Sequence, residues 1–186
     1  MGRKFWVPVS AVVALVVVAV GLYWFQPWKL WVDETVQEAV PAAPPVASGT
    51  PDGPGADSPP ESPTPTPTEP VTVAQGELIS HEHATSGTVS LLRLADGSHV
   101  LRLTDLNTSN GPDLRVWLTD APVKEGRAGW HVFDDGAYES LGHLKGNKGD
   151  QNYAIPASVD PADFTSVSIW CDRFDVSFGA AELARA

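Results

Sequence analysis

The chain of 186 residues can hold one ordinary domain with additional segments, and its formal net charge of −11 gives a surface that repels nucleic acid and anionic headgroups. Nucleic acid is therefore excluded as an expected partner. The chain has one cysteine, and its one methionine is Met1; these counts exclude an internal disulfide, a Cys-x-x-Cys pair, a Cys-x-x-Cys-His haem motif, an iron–sulfur ligand set and an axial methionine in a C-terminal domain.

A membrane-spanning helix is the first predicted element. The stretch from Phe5 to Phe25 is almost wholly apolar, and as a helix it is about 30 Å long, the hydrocarbon thickness of a bilayer. Basic residues precede it and acidic residues follow it, namely Arg3, Lys4, Asp33, Glu34 and Glu38. This asymmetry predicts a single-pass protein of the cell membrane, with a cytoplasmic tip and anchor over residues 1–32 and the remainder extracytoplasmic. A cleaved signal peptide is the alternative, although the bulky exit "GLYWFQPWKLW" does not resemble a cleavage site.

A proline-rich segment follows, with 11 prolines between Pro41 and Pro70. Proline lacks an amide donor, and too little apolar mass is present to offset the entropy of ordering the chain. The sequence therefore predicts a disordered Pro/Thr/Ser-rich linker over residues 33–76, a stalk that lifts the following domain off the membrane. Attached sugars and a proline-reading partner are the alternatives to a plain spacer.

Short stretches with period-two alternation fill residues 77–186 and predict an antiparallel β-sandwich, with a small barrel as the second choice. Each strand is expected to bury one face. In "DLRVWLT" Leu114 shares the inward face with Val116 and Leu118, and in "FTSVSIWC" Val167 shares it with Ile169 and Cys171. Other candidate strands cover residues 87–95, 99–106, 151–155 and 174–178. The stretch "LGHLKGNKGDQNY" predicts a hairpin with Asn147 and Lys148 at its tip.

Four ordered sequence blocks resemble a known domain family: "HATSGTVSLLRL", "NGPDLRVWL", "LGHLKGNKGDQNYAIP" and "SVSIWCDRFDVSFGAAEL". Together they are similar to the electron-transfer DM-thirteen domain of Skeletor-type proteins, over about residues 77–183. The resemblance implies a β-rich extracytoplasmic redox domain in which Cys171, within the "IWC" block, is the suspected redox or ligand position. It implies no particular substrate, prosthetic group or reaction.

Cys171 has a structural and a chemical interpretation. As the continuation of a buried strand face it is a small hydrophobe of the core. As a redox group it is a bare thiol, a modified side chain or a thiolate ligand to a metal ion or haem. A reactive thiol needs nearby positive charge, whereas Asp172 is adjacent and the domain is acidic. A bound ion stabilises the thiolate by itself, so ligation is the better redox hypothesis.

The histidines are the possible co-ligands of Cys171, and His83 and His143 are the preferred ones. His81 and His83 are two positions apart and would face the same way in a strand, a spacing that suits a two-imidazole metal site. The alternative is a pair of edge or loop histidines with no ligand. The identity of any cofactor stays open.

Two functions from different classes follow. The first is a membrane-anchored extracytoplasmic electron-transfer module centred on Cys171, acting with an unknown redox partner protein rather than as a stand-alone enzyme. The second is a non-redox β-sandwich for adhesion or envelope interaction, in which the cysteine is structural.

Overall fold

The computed structural model of the chain describes residues 3–41 and 69–185. Helix α1 covers Arg3–Phe25 and is followed by a short 3₁₀ helix, Pro27–Trp31. Within this described part of the chain, no helix is both long and apolar enough to cross a membrane, so the span at Phe5 to Phe25 stays a prediction. Most of the predicted linker, residues 42–68, lies outside the described residues.

Two β-sheets pack face to face, which confirms the predicted sandwich. The strands of the described residues are β1 (Thr35–Gln37), β2 (Val71–Glu77), β3 (Ile79–Ser80), β4 (Ser86–Arg93), β5 (His99–Asn107), β6 (Leu114–Thr119), β7 (Tyr138–His143), β8 (Lys148–Ile155), β9 (Ser166–Cys171), β10 (Val176–Glu182) and β11 (Ala184–Arg185). Sheet A has the order β1-β8-β5-β4-β2-β11 and sheet B the order β3-β10-β9-β6-β7. All described pairs are antiparallel except β1 with β8.

The main core lies between the two sheets, where alternate residues of each strand face inward. Leu91, Leu101 and Leu103 contribute from sheet A, and Val116 and Ile169 from sheet B, each with 0% exposure. Burying a side chain of this size stabilises the fold by roughly 1.5–3 kcal/mol. The alternation that predicted these strands therefore also supplies most of the packing that holds the sheets together.

The outer face of sheet B is buried as well, which corrects the prediction that each strand buries one face. Trp117 and Trp170 point to this face, and with Phe133, Ala121 and Ala180 they form a second group of packed residues, the outer cluster. Phe133 and Ala121 belong to the connection between β6 and β7, which covers the strands from outside. The large aromatic side chains at outward positions require such a cover, because their exposure to water would be costly.

The first strand, β1, corrects the predicted extent of the linker. Val36 pairs with Gly149 at the edge of sheet A, and Glu38 bonds the backbone amide of Asn152 at 2.6 Å. At the other end, β2 is also a full strand of sheet A. The predicted linker, residues 33–76, therefore differs from the structure at both ends, because a short polar strand gains its stability from pairing with an existing sheet edge.

The stretch "LGHLKGNKGDQNY" is not a hairpin. Strand β7 belongs to sheet B and β8 to sheet A, so the connection between them crosses from one sheet to the other. Asn147 lies in this crossing and is 1% exposed. Its amide donates to Asp33 and to the Thr108 carbonyl and accepts from the amide of Glu34. The side chain that resembled a turn residue is instead a buried bridge between β1 and the sandwich.

Candidate functional site

Cys171 ends β9, the central strand of sheet B, where it pairs with Val176 and Leu114. Its side chain is 0% exposed and belongs to the main core. Burial raises the pKa of the Cys171 thiol and the Asp113 carboxylate raises it further, whereas the backbone amides of Arg173, Phe174 and Asp113 lower it. Because burial is the larger effect, the thiol stays protonated at neutral pH.

Charged side chains surround the start of β6 beside the thiol. The Oδ1 atom of Asp113 lies 3.3 Å from Arg115 Nε and 3.2 Å from His143 Nδ1. Arg115 Nε also lies 3.5 Å from an oxygen of Asp172. The His143 side chain is 68% exposed, so solvent screens its interaction with Asp113. These residues make a polar surface at the end of β6 that pairs with Cys171.

Two cavities open at this end of the sandwich. The smaller, of about 240 Å³, is lined by His143 and Asp113, and the larger, of about 380 Å³, is lined by His83 and by the aromatic rings of Phe25, Phe174 and Phe178. Gly111 and Pro112 line both. One loop, Asn110–Asp113, therefore borders both cavities, and Leu114 directly after it pairs with Cys171.

The two preferred co-ligand histidines are at this same end but do not contact the sulfur. The His83 ring packs against Phe178 at 3.9 Å between centroids, and its Nε2 lies 3.5 Å from Glu82. His143 faces Asp113. Among the described residues no hydrogen bond or ion pair joins either imidazole to Cys171.

His81 is held by two protein partners rather than directed at His83. Its Nδ1 lies 2.8 Å from Ser177 Oγ and its Nε2 lies 3.0 Å from the Lys124 carbonyl oxygen. Its ring packs against Phe133, whereas the His83 ring packs against Phe178. Burial lowers the pKa of His81, so the neutral ring is favoured. Both ring nitrogens are engaged, and His81 has none free for a metal ion.

A metal site needs several donor side chains close together. No group of three or more His, Cys, Asp or Glu side chains in residues 3–41 and 69–185 is arranged to hold a metal ion. The remaining histidines, His99 and His131, lie elsewhere; His131 Nδ1 contacts the Asp175 carbonyl at 2.5 Å.

A stack of aromatic rings on the outer face of sheet B was missed by reasoning from the sequence. Tyr138, Trp117 and Trp170 come from three neighbouring strands and stack one on another. The signal for it was present, because Trp117 and Trp170 occupy outward positions where a solvated face would carry polar residues.

Comparison with known families gives one match. The family model described as "Electron transfer DM13" matches residues 77–183, which begin at the last residue of β2 and end just after β10. No curated protein and no solved structure matches the chain.

Proposed function

The chain belongs to the electron transfer DM13 family, and on this premise we propose that it is an electron-transfer domain held at the extracytoplasmic face of a membrane by its N-terminal helix. The apolar stretch of α1 and the basic residues Arg3 and Lys4 before it support this placement. The acidic balance of the domain suits a soluble module that exchanges electrons with a partner protein.

Cys171 is the proposed redox centre of this domain. The observation that carries the proposal is the position of Cys171, which pairs with Leu114 directly after the loop that borders both cavities and whose thiol pKa is lowered by three neighbouring backbone amides against the larger effect of burial. Amide donors of this kind stabilise a thiolate and tune the potential of a thiolate-ligated centre. Burial disfavours a free thiolate, so nucleophilic thiol chemistry is the less favoured role. His83 and His143, which line the two cavities, are the proposed co-ligands.

A second function is favoured by a different observation. Cys171 has 0% exposure and packs within the main core, as a cysteine that only fills space would. The domain would then be a non-redox sandwich for adhesion or envelope interaction, and the loops around the two cavities would contact a partner.

The two functions are separated by measurements on the full chain and on Cys171→Ala. We expect the wild-type chain, purified in detergent from its native host, to show a redox titration or a visible chromophore that Cys171→Ala lacks. Val116→Ala is the matched control, because it also removes volume from a fully buried inward position of sheet B without touching a thiol. A colourless wild-type chain with no titration would support the non-redox function, and a redox signal equal in Cys171→Ala would contradict Cys171 as the centre.

The proposed membrane attachment is tested separately. We expect the full chain to sediment with membranes, and the domain to be digested by protease added outside intact cells. A variant that lacks residues 3–25 should be released into the soluble fraction. Full protection of the domain in intact cells would contradict the extracytoplasmic placement.

A further inference from the structure

Three aromatic side chains on the outer face of sheet B form a continuous stack. The rings of Tyr138 and Trp117 lie 4.1 Å apart between centroids at an angle of 8°, and those of Trp117 and Trp170 lie 4.9 Å apart at 23°. Tyr138 is 46% exposed, Trp117 is 4% exposed and Trp170 is 1% exposed. The stack therefore leads from the surface of the domain to its central strand.

The connection between β6 and β7 closes the stack from outside. Phe133 meets Trp170 edge to face at 6.4 Å, and it is fully buried with the outer cluster. Stacked rings of this geometry are favourable in packing. Packing alone does not require indole and phenol groups to follow one another in the stack, since leucine or phenylalanine would fill the same space.

The ring types in the stack are those from which an electron is most easily removed among protein side chains. Tyr138 presents its phenol to water, which can accept the proton that tyrosine loses on oxidation. Among the described residues, the buried Nε1 of Trp117 has no hydrogen-bond acceptor. An oxidised Trp117 therefore keeps its proton and its positive charge, and it takes an electron from Tyr138, which can release a proton.

We propose that Tyr138, Trp117 and Trp170 form an electron conduit between the protein surface and strand β9. The proposal rests on the electron-transfer function proposed above and adds the path. Trp170 is followed directly by Cys171, which faces the opposite side of the same strand. The conduit therefore joins an exposed contact point, Tyr138, to the strand that carries the proposed redox centre.

The partner at Tyr138 is a one-electron carrier protein with a basic docking surface. Exposed Asp134 and Asp135 and the half-buried Glu139 are close to Tyr138 in the chain, and such acidic groups attract a complementary surface. In each transfer the oxidised carrier gains one electron and Tyr138 loses one electron and one proton, the proton passing to water. The tyrosyl radical then regains one electron along Trp117 and Trp170 from the reduced redox centre on β9, which is left oxidised by one electron, and one proton from water, which restores the phenol.

The conduit is tested within the full chain, without a partner, by laser photoionisation of its indole groups. Tyr23→Phe serves as the background, because Tyr23 is exposed on α1. We expect a tyrosyl radical signal to grow as the indole radical decays, at a rate independent of protein concentration. Trp117→Phe keeps a ring in the stack but removes the indole, and the growth of the tyrosyl signal should be lost. Trp130→Phe, outside the stack, should leave it unchanged.

Tyr138→Phe is the second variant, and because Tyr138 is exposed and phenylalanine keeps the ring, the variant is expected to fold as the wild type does. We expect the tyrosyl signal to vanish and the indole radical to persist. Tyrosyl growth that is absent from the background chain, unchanged in Trp117→Phe, or retained in Tyr138→Phe would overturn the proposal. Radical transfer that survives in Cys171→Ala would uphold the conduit even where the redox titration fails, so the two proposals fail separately.

Discussion

The protonation of His81 is tied to its hydrogen-bond partners. The Lys124 carbonyl requires a proton on Nε2, and Ser177 Oγ lies 2.8 Å from Nδ1. The Ser177 hydroxyl can donate either to Nδ1 or to the Gly179 carbonyl at 3.1 Å, and Ser168 donates to the same hydroxyl oxygen. The first arrangement holds a neutral imidazole and the second a protonated one. Burial lowers the pKa of His81 and thereby favours the first.

This network predicts a loss of stability in mild acid. Below the ordinary pKa of 6.5 the unfolded chain protonates His81 while the folded chain does not. The unfolded state then binds more protons, so the free energy of unfolding falls as the pH falls through this window. His81→Gln can keep both hydrogen bonds and has no proton to gain. We expect its free energy of unfolding, measured by urea denaturation, to fall less than that of the wild type between about pH 6.5 and about pH 5.

His143→Gln is the control for this prediction. His143 is largely exposed, so its replacement should leave the acid dependence close to that of the wild type. Equal pH dependence in wild type and His81→Gln would contradict a neutral, buried His81.

For Cys171, the direction of the side chain could be predicted from the sequence, but its surroundings could not. Its inward direction followed from alternation with Val167 and Ile169, and its burial in the core agrees with that direction. Two of the amides that lower the pKa of its thiol, those of Arg173 and Phe174, come from the turn after β9, and the third, that of Asp113, comes from a loop distant in the chain. Such contacts depend on how loops pack, and alternation carries no information about that.

At the scale of elements, the docking of β1 on β8 depends on a close backbone approach. Gly149 has φ of 94°, and a side chain on it would collide with the Val36 carbonyl and the Gln37 amide group. Ion pairs of Lys148 with Asp33 and of Lys145 with Glu38 flank the contact. These pairs are exposed and contribute little, so the ladder and the buried Asn147 hold the strand.

Replacing Gly149 by alanine should therefore release β1. The substitution strains a positive φ and also meets the backbone of β1. Gly142→Ala is the matched control, since Gly142 has φ of 112° but nothing within 4 Å of the added carbon. We expect Gly149→Ala to lower the free energy of unfolding by about 1–3 kcal/mol more than Gly142→Ala. Hydrogen exchange should show the amides of residues 35–38 losing protection, and equal losses in the two variants would contradict the docking.

The longer strands could be predicted from the sequence, and the short strands and the crossing between the sheets could not. Strands β4, β5, β6, β8, β9 and β10 were predicted because several inward positions repeat in each. Strands β1 and β3 have three and two residues, too few to show a period. The crossing from β7 to β8 looked like a hairpin because glycine and asparagine suit turns. Only the three-dimensional pairing reveals that the two strands belong to different sheets.

For the whole molecule, β1 changes how the chain is connected. The predicted stalk was expected to separate the helix from the sandwich, but β1 precedes the Pro-rich segment and already belongs to sheet A. Only residues 26–34 separate α1 from β1. Phe25 also stacks on Phe174 at 6.0 Å, and Arg173 lies over the Trp24 ring. The helix therefore joins the sandwich directly, and the Pro-rich segment connects two strands of one sheet.

Shortening the Pro-rich segment should then leave the helix and the domain in place. Strands β1 and β2 are separated by three others, a distance of about 19 Å, so a linker of about 12 residues in place of residues 42–68 is long enough. Loop-closure entropy predicts an increase of about 0.6 kcal/mol in the free energy of unfolding. Spin labels at Leu22 and Asp96, in a Cys171→Ala background, should report the same distance in the short variant and in a glycine–serine replacement of natural length. A distance that changes with linker length would mean that the segment, and not β1, sets the position of the domain.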